Sequence, residues 1–137
     1  MIAILIESQE SEILAHQIAE RLKHFDLTSE IYMVSGLKTP ELVVDLISDF
    51  NRSGKELVYM VISQFPGLAG MVSASSFHPV IALNSSSESY AYPNGVPALT
   101  TKKAENAVLS AVKILSLANS KLKKQIAHTI DQMKEVY

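Results

Sequence analysis

Four short apolar runs, Ile2 to Ile6, Ile31 to Val34, Leu57 to Ile62 and Pro79 to Leu83, alternate with longer segments in which apolar residues recur at helical spacing. Runs this short and this continuously apolar read as strands buried on both faces, the pattern of a parallel sheet whose crossovers are helices. In the first crossover Leu14, Ile18, Leu22 and Phe25 form one stripe, with Glu12, Gln17, Arg21 and Lys23 elsewhere, so a single face packs on the sheet. A chain of 137 residues with no internal repeat or linker is expected to form one domain of three layers, α/β/α, around a parallel central sheet.

The remaining helices carry local signals. Thr39 followed by Pro40 reads as an N-cap with proline at the first helical position, and Val43, Leu46, Ile47 and Phe50 continue the stripe to a stop near Ser53-Gly54. The segment from Leu68 to Ser76 is made of small residues, which lets a buried helix approach neighbouring backbone closely. From Ala104 to Leu117 two stripes run side by side, one through Ala107, Val108, Ala111, Val112 and Leu115 and one through Leu109, Ile114 and Leu117. A helix of that kind needs two partners, and another subunit is a candidate for the second. A last helix from about Ser120 places Leu122, Ile126, Ile130, Met133 and Tyr137 on one side. Between Asn84 and Gly95 periodicity gives way to serine and turn formers, read as a surface loop.

Composition narrows the function. The hydrophobic share of 47% against 19% charged residues implies extra buried or interface surface, and a homo-oligomer is expected. A net charge of −2 supplies no field to gather nucleic acid or an anionic membrane, and neither is expected as a partner. No apolar stretch approaches the roughly 18 residues of a membrane span. The opening Met1-Ile2-Ala3-Ile4-Leu5-Ile6-Glu7 has no basic segment before it and reads as a strand, not a secretory signal. Absence of cysteine removes thiolate catalysis and cysteine-type zinc sites, and a cytoplasmic protein is expected.

Ligands of open parallel sheets bind beyond the carboxyl ends of the strands, here Glu7 to Ser11, Ser35 to Thr39, Ser63 to Gly70 and Asn84 onward. Ser8 and Ser11 stand at a helix start, where hydroxyls serve either as caps or as phosphate ligands. Lys38 adds a cation at the same rim, as a phosphate partner or a solvated side chain. Glu7-Ser8-Gln9-Glu10-Ser11 contains no glycine, so a dinucleotide fingerprint is absent and no cofactor is expected. His16, His24, His78 and His128 show no metal-ligand spacing, and none falls on the rim, so no hydrolytic triad can be assembled there.

Three rim motifs, Ser8 to Ser11, Ser35-Gly36-Leu37-Lys38-Thr39-Pro40 and Gly67-Leu68-Ala69-Gly70, resemble those of the PurE family, the carboxyaminoimidazole ribonucleotide mutases and aminoimidazole ribonucleotide carboxylases of purine biosynthesis. Pro79 to Ala82, Gly95-Val96-Pro97 and Glu105 to Val108 follow the family in order, so the likeness spans nearly the whole chain. It implies a flavodoxin-like or Rossmann-like fold, an octamer, and a substrate site at Ser8, Ser11, Ser35, Gly36, Lys38 and Gly67. The departures are as informative as the matches. Glycine and aspartate of the first motif stand here as Glu7 and Ser11, histidine and arginine of the second as Leu37 and Lys38, and the histidine of the third as Gly67. The segment from Leu83 to Gly95 is also shorter than the family's.

Moving a carboxyl group on an aminoimidazole needs proton delivery, which Gly67 and Leu37 cannot supply. The expected function is a diverged PurE-like protein that binds a phosphorylated ribonucleotide-type ligand with little or no carboxyl transfer. Two alternatives stand beside it: an active carboxylase or mutase using replacement groups such as Glu7, Glu10 or Ser63, and a structural partner of an active paralogue.

Overall fold

The computed structural model describes residues 1–84 and 90–136. Its elements are β1 (Ile2–Ile6), α1 (Glu12–Lys23), β2 (Ser29–Met33), α2 (Pro40–Ser53), β3 (Val58–Ile62), α3 (Gly67–Ser75), β4 (Val80–Leu83), β5 (Leu99–Thr101), α4 (Ala104–Ser116) and α5 (Ser120–Val136), with a 3-10 turn over Gln9–Ser11. The strands form one parallel sheet in the order β2-β1-β3-β4-β5, the flavodoxin-like arrangement. The fifth strand is absent from the sequence reading. Leu99 to Thr101 is three residues long and mostly exposed, so no apolar run announces it; pairing Ile81↔Leu99 and Leu83↔Thr101 against β4 fixes it.

Because successive strand residues point to opposite faces, the apolar runs feed two separate cores. Ile2, Ile4 and Ile6 pack with Ile18, Leu22, Val108, Val112 and Leu122 under α1, α4 and α5. Ala3 and Leu5 pack with Val43, Ile47, Phe50, Leu68 and Val72 under α2 and α3. Gly54 ends α2 in the left-handed region, φ 69°, as a glycine C-cap should. Leu109 of the second α4 stripe lines a groove with Ile130 and Met133, so α5 of the same chain supplies that partner, while Leu117 stays exposed. Tyr137 and the serine-rich residues 85–89 lie outside the described residues.

The small-residue composition of α3 has a specific use. A Cβ on Gly70 would lie 3.0 Å from Cε1 of Tyr92, so the close approach is to an aromatic ring rather than to backbone.

Tyr59 on β3 is fully buried and edge-on to Phe50 at 5.9 Å and His78 at 6.3 Å. Burial pushes its phenol, whose hydroxyl has no hydrogen-bond partner among the described residues, up to about 12. Above pH 10 the unfolded chain releases this proton while the native state keeps it, so stability is full below pH 10 and falls as pH rises toward 12, by about 2 kcal/mol from this group. Tyr59→Phe is expected to flatten that alkaline loss in urea titrations between about pH 9 and about pH 12. A variant as alkali-sensitive as the parent would assign the loss to other groups.

Candidate ligand site

The strand order 2-1-3 puts the topological switch point between β1 and β3, where a crevice opens past the strand ends. Glu7 follows β1 and Ser63 follows β3. The Ser63 hydroxyl donates to Glu7 Oε2 at 2.8 Å and accepts the Phe65 N–H at 3.1 Å, and the Gly36 N–H reaches Glu7 Oε1 at 3.5 Å. One half-buried carboxylate therefore ties together the loops after β1, β2 and β3.

Ser8 and Ser11 share a hollow of about 150 Å³ with Glu7, Glu10, Ser63 and Phe65. Ser8 precedes the 3-10 turn and Ser11 precedes α1, yet neither hydroxyl makes a capping hydrogen bond. Capping, the other reading of these serines, is not what the fold uses them for.

Ser35 builds a closed turn. Its hydroxyl accepts the N–H groups of Leu37 at 3.3 Å and Lys38 at 3.1 Å. Its own N–H donates to Thr39 Oγ1 at 2.9 Å, and that hydroxyl donates back to the Ser35 carbonyl at 3.1 Å. Thr39 is the N-cap residue of α2 by position but its side chain locks the turn instead, while Pro40 takes the first helical turn as its fixed φ predicts. Lys38 is exposed, and Leu37 is 96% exposed. Gly67 opens α3 with nothing within 4 Å of the place a Cβ would occupy. Of the six expected site residues, Ser8 and Ser11 line one hollow, Gly36 joins it through Glu7, and Ser35, Lys38 and Gly67 lie outside its lining.

None of the histidines reaches this rim. His16 and His24 lie on the α1 side within electrostatic range of Glu20, His128 lies on α5, and the His78 ring contacts the Lys55 carbonyl at the amino edge of the sheet. Among the described residues no cluster of three or more histidine, aspartate or glutamate side chains could hold a metal ion.

A second cleft of about 290 Å³ adjoins the first, and Ser63 and Phe65 line both. Its other walls include Val61, Ala82, Tyr92, Thr100 and Thr101, residues the sequence reading did not select. Their proximity depends on β5, which periodicity does not reveal. The only sequence signal was the position of Asn84 and the following segment on the strand-end rim.

The family model described as AIR carboxylase matches residues 1–136. The chain belongs to the PurE, or AIR carboxylase, family. Among its relatives, a phosphoribosylaminoimidazole carboxylase of Archaeoglobus fulgidus is 26% identical over 100% of this chain and 82% of its own length. An N5-carboxyaminoimidazole ribonucleotide mutase of Methanocaldococcus jannaschii is 28% identical, covering 98% of this chain and 91% of the relative. The mutase of the same name from Mycobacterium tuberculosis H37Rv is 31% identical over 86% of this chain and 75% of the relative. The crystal structure of Treponema denticola PurE superposes with a TM-score of 0.89 over 98% of this chain and 91% of its own, at 24% identity, a likeness of fold. No helix among the described residues is long and apolar enough to cross a membrane.

Proposed function

We propose that this PurE-family chain holds a phosphorylated ribonucleotide-type ligand at its strand ends and performs little or no carboxyl transfer. The observation that carries the reading is the chemistry of the two positions matching the family's histidines. Gly67 has no side chain and Leu37 is an apolar side chain directed into solvent, so neither moves a proton, and no histidine elsewhere stands in for them. Lys38, the free hydroxyls of Ser8 and Ser11, and the partial positive charge at the start of α1 support an anion. Glu7 and Glu10 oppose it, so modest affinity is expected. The apolar side chains exposed at this end, Ile13, Leu37 and Phe65, support assembly into a homo-oligomer, which the family likeness puts at eight subunits.

Lys38→Ala is expected to weaken ribose 5-phosphate binding about tenfold by calorimetry, the loss of one charge-assisted contact at the low end of its range because the side chain is solvated. Equal affinities in parent and variant, or no binding to either, would leave Ser8, Ser11 and Lys38 without a ligand role. In the same preparation, aminoimidazole ribonucleotide with bicarbonate, or its carbamate, is expected to show little or no turnover.

One observation favours a second reading. Glu7 and Ser63 form a carboxylate–hydroxyl pair at 2.8 Å on the rim, and a half-buried carboxylate at the strand ends can act as a general base. Turnover of either aminoimidazole substrate that disappears in Glu7→Gln would establish that the chain is an enzyme with a replaced proton carrier.

A further inference from the structure

We infer that Glu7 sets what the strand-end hollow accepts: its carboxylate is an internal anion seated on donors that a ligand's own anionic group would use, so a phosphoryl group enters only by displacing it. The inference rests on the reading above, since it concerns the phosphoryl end of that ligand. Donors from two loops converge on this side chain. The Ser63 hydroxyl donates to Oε2 at 2.8 Å, and the Gly36 N–H reaches Oε1 at 3.5 Å, the weaker contact, so both oxygens are engaged. No salt bridge among the described residues brings a cation to Glu7. A carboxylate met by neutral donors and by no counter-charge is placed as a bound anion would be.

The turn after β2 has no other donor to spare. Within it the Ser35 N–H goes to Thr39 Oγ1, those of Leu37 and Lys38 go to the Ser35 hydroxyl, and that of Thr39 goes to the Ser35 carbonyl. Gly36 therefore has the one N–H from Ser35 to Thr39 that the turn does not consume, and Glu7 takes it. After β3 the Ser63 hydroxyl accepts the Phe65 N–H and keeps its own proton for an acceptor at the rim. Glu7 takes that proton as well.

Position separates Glu7 from the other carboxylate of the hollow. Glu10 lines the same space but is exposed, and water and salt screen its charge. Glu7 is half-buried, so its charge acts through less solvent, and its oxygens already hold the donors. An entering phosphoryl group meets two penalties at Glu7, repulsion and the loss of donors, and only screened repulsion at Glu10. A neutral polyol meets neither, and the hydroxyls of Ser8 and Ser11, which cap no helix, can donate to it or accept from it. The hollow thus discriminates by the charge of the end that enters it, and one side chain sets most of the difference.

Calorimetry with ribose 5-phosphate on the parent, Glu7→Gln and Glu10→Gln compares two substitutions that remove the same charge from the same hollow. Glu7→Gln keeps the side chain's size and one acceptor oxygen, so the loops stay tied, and it is expected to bind about tenfold more tightly than the parent. Glu10→Gln is expected to gain less than about threefold. Equal gains, or no gain from Glu7→Gln where the parent binds, overturn the inference and leave the phosphoryl reading standing. Binding by Glu7→Gln where the parent shows none supports the inference and overturns that reading for the parent chain. No binding by any of the three overturns both. A second readout needs no sugar. Glu7→Ala vacates the position, and acetate, compared with chloride at equal ionic strength, is expected to raise its urea midpoint while leaving the parent's unchanged. An acetate shift of the same size in both proteins, or in neither, overturns the inference.

Discussion

Ile4→Ala is expected to lower the unfolding free energy by about 2 to 5 kcal/mol, the cost of a buried cavity plus the lost transfer energy of the missing carbons. Ile4 is 0% exposed, lies in register with Ile31 on one side and Met60 on the other, and belongs to the core under α1, α4 and α5. Neighbouring strands on both sides restrict relaxation into the gap, which favours the upper half of that range. Against a domain stability of about 5 to 15 kcal/mol, that loss is a large share of what holds the fold together. Leu42→Ala, at a side chain 55% exposed on α2, is the surface control and is expected to stay within about 0.5 kcal/mol. Urea midpoints compare the two; similar shifts would mean that β1 is not the packed centre of the sheet.

Restoring histidine at both altered positions, Leu37→His with Gly67→His, is expected to raise carboxyl-transfer turnover by about 100-fold or more over the parent, the usual contribution of a positioned acid/base group. Gly67 has open space around its missing Cβ and an ordinary backbone conformation, and Leu37 is almost wholly exposed, so both side chains fit without displacing a neighbour. A smaller gain is expected from either substitution alone, since proton delivery and removal act on one reaction. A double variant that stays folded and keeps ligand affinity yet gains no turnover would overturn the assignment of the chain's proposed low activity to Leu37 and Gly67.

Much of this molecule was legible before its structure. Ile2 to Ile6 declares a strand buried on both sides because all five residues are apolar, and both cores confirm it. Pro40 and Gly54 bracket α2 because a fixed φ suits a helix start and a left-handed φ suits its end, both properties of single residues. The rim motifs identified the family for the same reason: the turn from Ser35 to Pro40 is closed by the Ser35 and Thr39 hydroxyls through hydrogen bonds that span at most four residues.

What lay beyond reach depended on contacts between distant parts of the chain. The Ser63 hydroxyl meets Glu7 across 56 positions and the Gly36 N–H meets it across 29, so no spacing rule foretells that one carboxylate joins three loops. Tyr92 finds Pro66 across 26 positions, and β5 exists because β4 offers an edge for three otherwise unremarkable residues to pair with. The sequence by itself determined the layers, the helix limits and the family, since apolar periodicity and backbone preference act over a few residues. Only the tertiary structure decided which strand-end groups meet and where space remains between them, because hydrogen bonds and van der Waals contacts are set by distance in space.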